Sequence, residues 1–300
     1  MNTAILLFVY NRPIHTEKVV DSLLSNSSSG DYDLLIFSDG AKDGSQNNHV
    51  FKVRDYISTI TGFKTIRIFE SEQNLGLSKS ILGGIQCAFE SYDSVIIIED
   101  DILVSPYFLN FISSGLALYE SNEDVISIHG YTYPTNHTLP ETFFMRGADC
   151  WGWATWKKDW SLFNPDGLSL LRKLIENRQV HQFDHNGTSN HSKILREQVS
   201  GKQDSWAIRW HASAFLANKL TLYPGRSLVQ NIGFDGSGRH CGNYDSHWVE
   251  LSDRPISVDR IDVAESQLGA LAFEEFYRKS KETIFKKILR RISFLLHKWQ

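Results

Sequence analysis

Three carboxylates stand side by side at Glu99, Asp100 and Asp101, directly after the apolar run 95–98. Like charges crowded at the tip of a buried strand repel one another and cost stability unless a cation or hydrogen-bond donors compensate. A hard divalent ion, Mg2+ or Mn2+, does so by taking one or two carboxylates and completing its shell with phosphate oxygens. The competing reading is an acidic cap for a helix opening near Ser105-Pro106, although capping asks for only one such residue.

Other polar groups fall at the ends of strand-like runs: Asn11-Arg12, Asp39-Gly40 and Asn74-Leu75-Gly76. In open α/β sheets ligands bind beyond the carboxyl ends of the strands, so these groups and the acid trio are expected on one rim. A plain turn explains Asp39-Gly40 equally well. Further on, Trp151-Gly152-Trp153 places aromatic faces around a glycine, which suits stacking on a sugar ring, while burial in the core is the alternative for a chain with eight tryptophans.

The elements that must position these residues read as βα units. Strand-like runs at 4–10, 34–37, 65–69 and 95–98 alternate with helix-like runs at 16–24, 50–61 and 77–90. The continuous β-branched run 95–98 is the pattern of a parallel strand buried on both faces. After residue 105 the pattern loosens into a helix at 107–119, a strand at 125–129, the Trp-rich segment 150–160 and polar helical stretches to about 200. A strand at 220–223 and a glycine-punctuated loop at 233–242 follow.

Together the motifs are similar to those of GT-A glycosyltransferases. Ile96-Ile97-Ile98-Glu99-Asp100-Asp101-Ile102 followed by Ser105-Pro106-Tyr107-Phe108 resembles their Glu-Asp-Asp segment, with the inverting N-acetylglucosaminyltransferase I group and its bacterial relatives as the nearest likeness. Val9-Tyr10-Asn11-Arg12-Pro13 resembles the first-strand motif of family 2 sugar transferases. The resemblance implies a GT-A fold, a Rossmann-like nucleotide-binding half with a mixed central sheet. It makes Asp101 the metal ligand, with Glu99 and Asp100 facing the donor. Arg12 then bears on the diphosphate, Asp39 accepts from a uracil N–H, and Asn74 and Lys79 belong to the loop before the donor-facing helix. Trp151 and Trp153 correspond to a Trp-Gly-Trp segment of galactosyltransferases. Gln203-Asp204-Ser205-Trp206 resembles the Asp-x-Trp segment whose Asp is the base that accepts the acceptor hydroxyl proton. Asp159 is the rival for that role, and a helix cap is the plainer reading of Asp204. Arg226 lies in the segment preceding a loop that closes over the donor, and His240 in that loop is a candidate third metal ligand.

The expected domains are a GT-A unit at 1–260, split into a donor half at 1–104 and an acceptor half at 105–260, and a C-terminal basic amphipathic helix at 261–300. In the latter, Ile284, Phe285, Ile288, Leu289, Ile292, Leu295, Leu296 and Trp299 form a stripe beside Lys and Arg. That helix fits peripheral contact with an anionic leaflet, and an ordinary packing or homo-oligomer contact fits it equally.

At 300 residues and 41% hydrophobic content the chain buries a sizeable core, and a net charge of -4 gives no general attraction to nucleic acid. Cys87, Cys150 and Cys241 form no Cys-x-x-Cys pair, and the first apolar run reads as a strand and not a signal peptide. These features point to the cytoplasm, at the inner face of the membrane if the C-terminal helix binds there. The expected partners are a nucleotide-sugar donor, UDP-linked by the resemblance, and a glycan or lipid-linked glycan acceptor in surface polysaccharide synthesis. The readings set against transfer are a sugar nucleotidyltransferase and a non-catalytic glycan-binding module.

Overall fold

The computed structural model describes residues 1–235 and 245–281. Its first part is a run of βα units: β1 (Thr3–Val9), α1 (Pro13–Leu24), β2 (Asp33–Ser38), α2 (Asn47–Ile57), β3 (Thr65–Glu70), α3 (Leu77–Ala88) and β4 (Ser94–Glu99). A short β5 (Ile102–Val104) and α4 (Phe108–Tyr119) lead to β6 (Val125–His129), β7 (Thr142–Arg146) and β8 (Trp153–Trp156). Then come α5 (Lys157–Trp160), α6 (Gly167–Glu176), α7 (Val180–Phe183), α8 (His191–Val199) and α9 (Trp206–Leu216), followed by β9 (Leu220–Pro224) and β10 (Val229–Asn231). Residues 267–281 form a further helix, α10.

The eight-stranded sheet has the order β3-β2-β1-β4-β8-β6-β9-β7, and β5 pairs with β10 as a separate two-stranded ribbon. Strands β3, β2, β1 and β4 are parallel, whereas β8 runs antiparallel to both β4 and β6. This is the mixed α/β architecture expected. The sheet is also continuous across residue 104, so the expected donor and acceptor halves share one backbone ladder.

Side-chain alternation explains the two layers. From β1 and β4, Ile5, Leu7, Val9, Ile96 and Ile98 join a core with Val19, Val20 and Leu23 of α1, Val53 of α2 and Phe108 and Ile112 of α4. The intervening Ala4, Leu6, Phe8, Val95 and Ile97 face the other way, onto Ile81 and Ile85 of α3 and onto Trp153, Trp206 and Trp210. Each Val, Leu, Ile or Phe side chain among them contributes about 1.5–3 kcal/mol by leaving water. A strand buried on both faces has no place for polar residues until it ends, which is why chemistry begins at Glu99.

Two departures from the sequence reading concern the second part. The Trp-rich segment supplies a true strand, β8, and the Phe-Phe pair of residues 142–146 supplies β7; both were too short for a period to show. At the C-terminus, residues 261–266 are not helical, and α10 starts at 267. Its Ala272 and Phe273 pack on Phe143, Met145 and Tyr223 as a conventional covering helix. The basic stripe at 284–299 lies outside the described residues. Among the described residues no helix is long and apolar enough to cross a membrane.

Candidate active site

The carboxyl ends of β1, β2 and β4 meet on one rim. At the end of β4, Asp100 and Asp101 are almost fully buried. From the β1–α1 junction Arg12 reaches across, its Nη2 bonding Asp100 Oδ1 and lying 3.1 Å from Asp101 Oδ2. Arg12 thus faces the acids themselves in this structure, where the sequence placed it toward a diphosphate. One guanidinium does not balance three carboxylates. Burial, with Asp101 and Asp100 adding to it, pushes Glu99 up to about 8. Burial likewise pushes Asp100 up to about 6, against the pull of Arg12.

Asp101 is fixed from below and above. Its carbonyl accepts from Ile232 N at 2.8 Å, because the β5–β10 ribbon brings residues 102 and 231 into register. Gly233 then rests against its carboxylate: a Cβ there would lie 2.3 Å from Oδ2. Glycine at 233 is therefore what lets the loop after β10 approach the acid.

Asp39 ends β2 as the hub of the neighbouring loop. Its carboxylate accepts from Gly40 N, Leu75 N, Gly76 N and Asn74 Nδ2 at 2.8–3.0 Å. Asn74 also donates to Gly40 O at 2.8 Å. The two loops touch so closely that a Cβ on Gly40 would lie 2.6 Å from the Gln73 carbonyl carbon. A carboxylate has about four acceptor positions, so a nucleobase N–H reaching Asp39 would share an oxygen already holding two donors. Lys79 projects exposed from the first turn of α3 beside this hub.

Asp204 comes to the same rim from the second part of the chain. Its side chain is 63% exposed, and Oδ1 accepts from Arg209 Nη2 at 3.0 Å. The same nitrogen donates to Ser78 Oγ at 2.9 Å, on the first turn of α3. Arg209 also holds Ser205 O and Pro165 O. The cap of α9 is Ser205, whose side chain accepts from Ile208 N, so Asp204 is not spent on capping. Arg209 was missed in the sequence; its signal was an Asp and an Arg five apart, astride the start of one helix.

The remaining candidates separate. Trp151 is half-buried and meets the rings of Tyr131, Phe234 and His247 at 4.8, 5.7 and 5.6 Å, forming a wall beside the Gly233 loop. Trp153 is fully buried among Trp206, Trp210 and Trp160, so the sugar-stacking expectation is corrected to core packing. Asp159 lies past the end of β8, whose Trp156 pairs with Ser94 at the start of β4. That is the opposite end of the sheet from the acid trio, which removes Asp159 from the acceptor side. Arg226 follows β9, three strands from β4, and forks onto Glu141 at 3.0 and 3.2 Å. It is engaged away from the acid trio. His240 lies outside the described residues. Phe234 and His247, stacked at 5.1 Å, are wall residues that had no sequence signal beyond their aromatic type.

The model of glycosyl transferase family 2 matches residues 4–154, half of the chain, from β1 through the acid trio into β8. The chain belongs to the glycosyl transferase 2 family. It is therefore a glycosyltransferase of GT-A type, and its acid trio, Arg12, Asp39 and Trp151 fall within the matched span. A search of curated proteins returns no match. Among solved structures this transferase is similar to S. aureus TarS, at 15% identity over 49% of this chain and 25% of that one, TM-score 0.33. It is similar also to TarS 1-349 in complex with UDP-GlcNAc, at 14% identity over 47% and 37%, TM-score 0.33. The mannosyltransferase PcManGT from Pyrobaculum calidifontis, in complex with GDP-Man and Mn2+, gives 12% identity over 72% and 69%, TM-score 0.38. The chain spans about a quarter of the length of the full TarS chain.

Proposed function

We propose that this transferase moves a sugar from a nucleoside diphosphate sugar, UDP-linked by its sequence motifs, to a hydroxyl of a glycan or lipid-linked glycan, with inversion and with a divalent cation. The observation that supports the reading is that Asp204, from the second half of the chain, is tied through Arg209 to Ser78 on the first turn of α3, at the same carboxyl-end side of the sheet on which β4 ends in the acid trio. The donor set fits a hard cation: three neighbouring carboxyl groups at one strand end, with one guanidinium between two of them. Asp101 would hold Mn2+ or Mg2+, which supplies positive charge to the departing diphosphate.

The protein's own residues do the rest. Arg12 pairs with Asp100 and with one oxygen of Asp101, holding both carboxylates at the end of β4. The Asp39 hub fixes the β3–α3 loop that flanks the donor. Trp151, with Phe234 and His247, walls the side on which the sugar would lie. Asp204, paired with Arg209 and open to solvent, takes the acceptor hydroxyl proton as the oxygen bonds to the anomeric carbon. The carbon–phosphate-oxygen bond breaks on the opposite face, and the nucleoside diphosphate leaves with its electron pair.

The test is a panel of nucleotide sugars incubated with and without Mn2+, following nucleoside diphosphate release. Asp101→Ala should cut metal-dependent turnover by roughly 10³-fold while leaving the fold intact, a loss of the size seen when charge stabilisation of the transition state is removed. Unchanged turnover in that variant sinks the assignment. The anomeric configuration of the product, read by NMR coupling, decides inversion.

A further inference from the structure

A cavity of about 150 Å³ opens between α8, α9 and the segment entering β8. It belongs to neither the acid trio nor the Asp39 hub. His185, His191 and His211 line it, and one ring nitrogen from each lies within 4.8 Å of the others. We propose that these three imidazoles bind a zinc ion, a second metal site distinct from the acid trio, with a fourth coordination position open to the cavity.

The ring orientations support this. His211 Nδ1 is 2.9 Å from Ala148 O, and His191 Nδ1 is 3.3 Å from Phe183 O. A ring nitrogen facing a carbonyl carries the proton, which leaves Nε2 as the lone-pair nitrogen. Zinc-ligating histidines are oriented in this way, by donating the other N–H to a backbone carbonyl or carboxylate. His211 Nε2 is buried and has no hydrogen-bond partner, a costly state that a metal bond would relieve. Burial holds all three rings neutral and thus able to ligate, His185 down to about 3 and the other two also below their ordinary value.

The backbone is bent to the same end. His185 and Asn186 both have left-handed φ, 46° and 52°, a conformation that costs a non-glycine residue about 1 kcal/mol or more. Asp184 clamps the turn by accepting from Ser192 N and Ser192 Oγ, both at 2.6 Å. Points no more than 4.8 Å apart have a centre within about 2.8 Å of each, so closing in by about 0.7 Å reaches the 2.0–2.1 Å of zinc–imidazole bonds. Asp149 lines the same cavity, its carboxylate accepting from Tyr133 at 2.9 Å, and adds a negative potential that favours a cation. His211 lies two residues beyond Arg209 on α9, so the ion would pin the helix that presents Asp204 to the loop before α8.

Untagged full-length protein, stripped with chelator, is titrated with ZnCl2 and with Co2+. One Zn2+ per chain should bind, raise the melting temperature, and be replaceable by Co2+ with the strong visible bands of tetrahedral coordination. Asp101→Ala should keep that equivalent, whereas His191→Gln and His211→Gln should weaken it by at least about 100-fold, the upper end of what outer-shell changes cost. Should either glutamine variant fail to fold by circular dichroism, the wild-type Co2+ spectrum decides alone. No tetrahedral spectrum, or equal zinc binding by wild type and folded variants, overturns the site. Because metal binding is read without turnover, its failure leaves the transfer reading untouched.

Discussion

The two sides of the site are built differently. On the β1–β4 side, polar residues at strand ends are held by main-chain donors of the next loop: Asp39 alone receives three backbone N–H groups and one amide. On the α6–α9 side, Asp204 is held by a single guanidinium, and the helix that follows it packs through Trp206 and Trp210. The first arrangement is densely hydrogen-bonded and lies within the span matched by the family. The second leaves one carboxylate exposed, the one to which the proposed mechanism assigns the acceptor proton. The family match thus takes in all of the hydrogen-bonded side and ends within β8, before α6–α9 begin.

The sharpest way to break that contrast is Asp204→Asn. It should lower kcat by about 10²–10⁴-fold with little change in donor KM. A donor KM that rises in step with the loss of kcat would move Asp204 to the donor side. Next come the two tryptophans. Trp153→Ala should cost about 3–5 kcal/mol in denaturant unfolding, whereas Trp151→Ala should cost far less stability and raise KM for sugar substrates. Equal destabilisation would erase the distinction between core and wall. Gly233→Ala presses a methyl onto the Asp101 carboxylate and should reduce turnover about tenfold, with a melting temperature close to wild type.

The two sides should also respond to pH in opposite directions. Glu99 binds its proton more tightly folded than unfolded, so the metal-free protein loses that stability as pH rises from the ordinary carboxylate range toward 8. His185 binds its proton less tightly folded, so its contribution is lost as pH falls below about 6.5 toward 3. Melting curves across pH with and without Mn2+ check this: the cation should flatten the alkaline limb and leave the acid limb alone. The smallest effect belongs to Arg226→Ala, which removes a half-exposed pair with Glu141 and should change stability by at most about 1 kcal/mol and turnover not at all.

What was legible in the sequence follows the same division. The βα units and the acid trio were readable because a buried parallel strand is a continuous β-branched run that stops where polarity begins. β8 was not readable, since four residues carry too little period, and its tryptophans looked the same whether meant for a ligand or for the core. Only the pleat decides it: Trp153 points into the layer shared with α9, and Trp151 lies before the strand begins. Arg226 and Asp159 were misplaced for another reason. Their distance from the trio depends on strand order, and order is set by which edges pair in space.

That order has a consequence for how the chain comes to be folded. β4 gains its second neighbour only with β8, which begins at Trp153, long after β4 ends at Glu99. While the ribosome is still making the residues between them, a ladder edge rich in isoleucine and valine stands open to any stray strand. The nascent protein must therefore shelter its central strand until the tryptophan strand arrives, and a message truncated within that interval would yield an adhesive fragment and not a smaller enzyme.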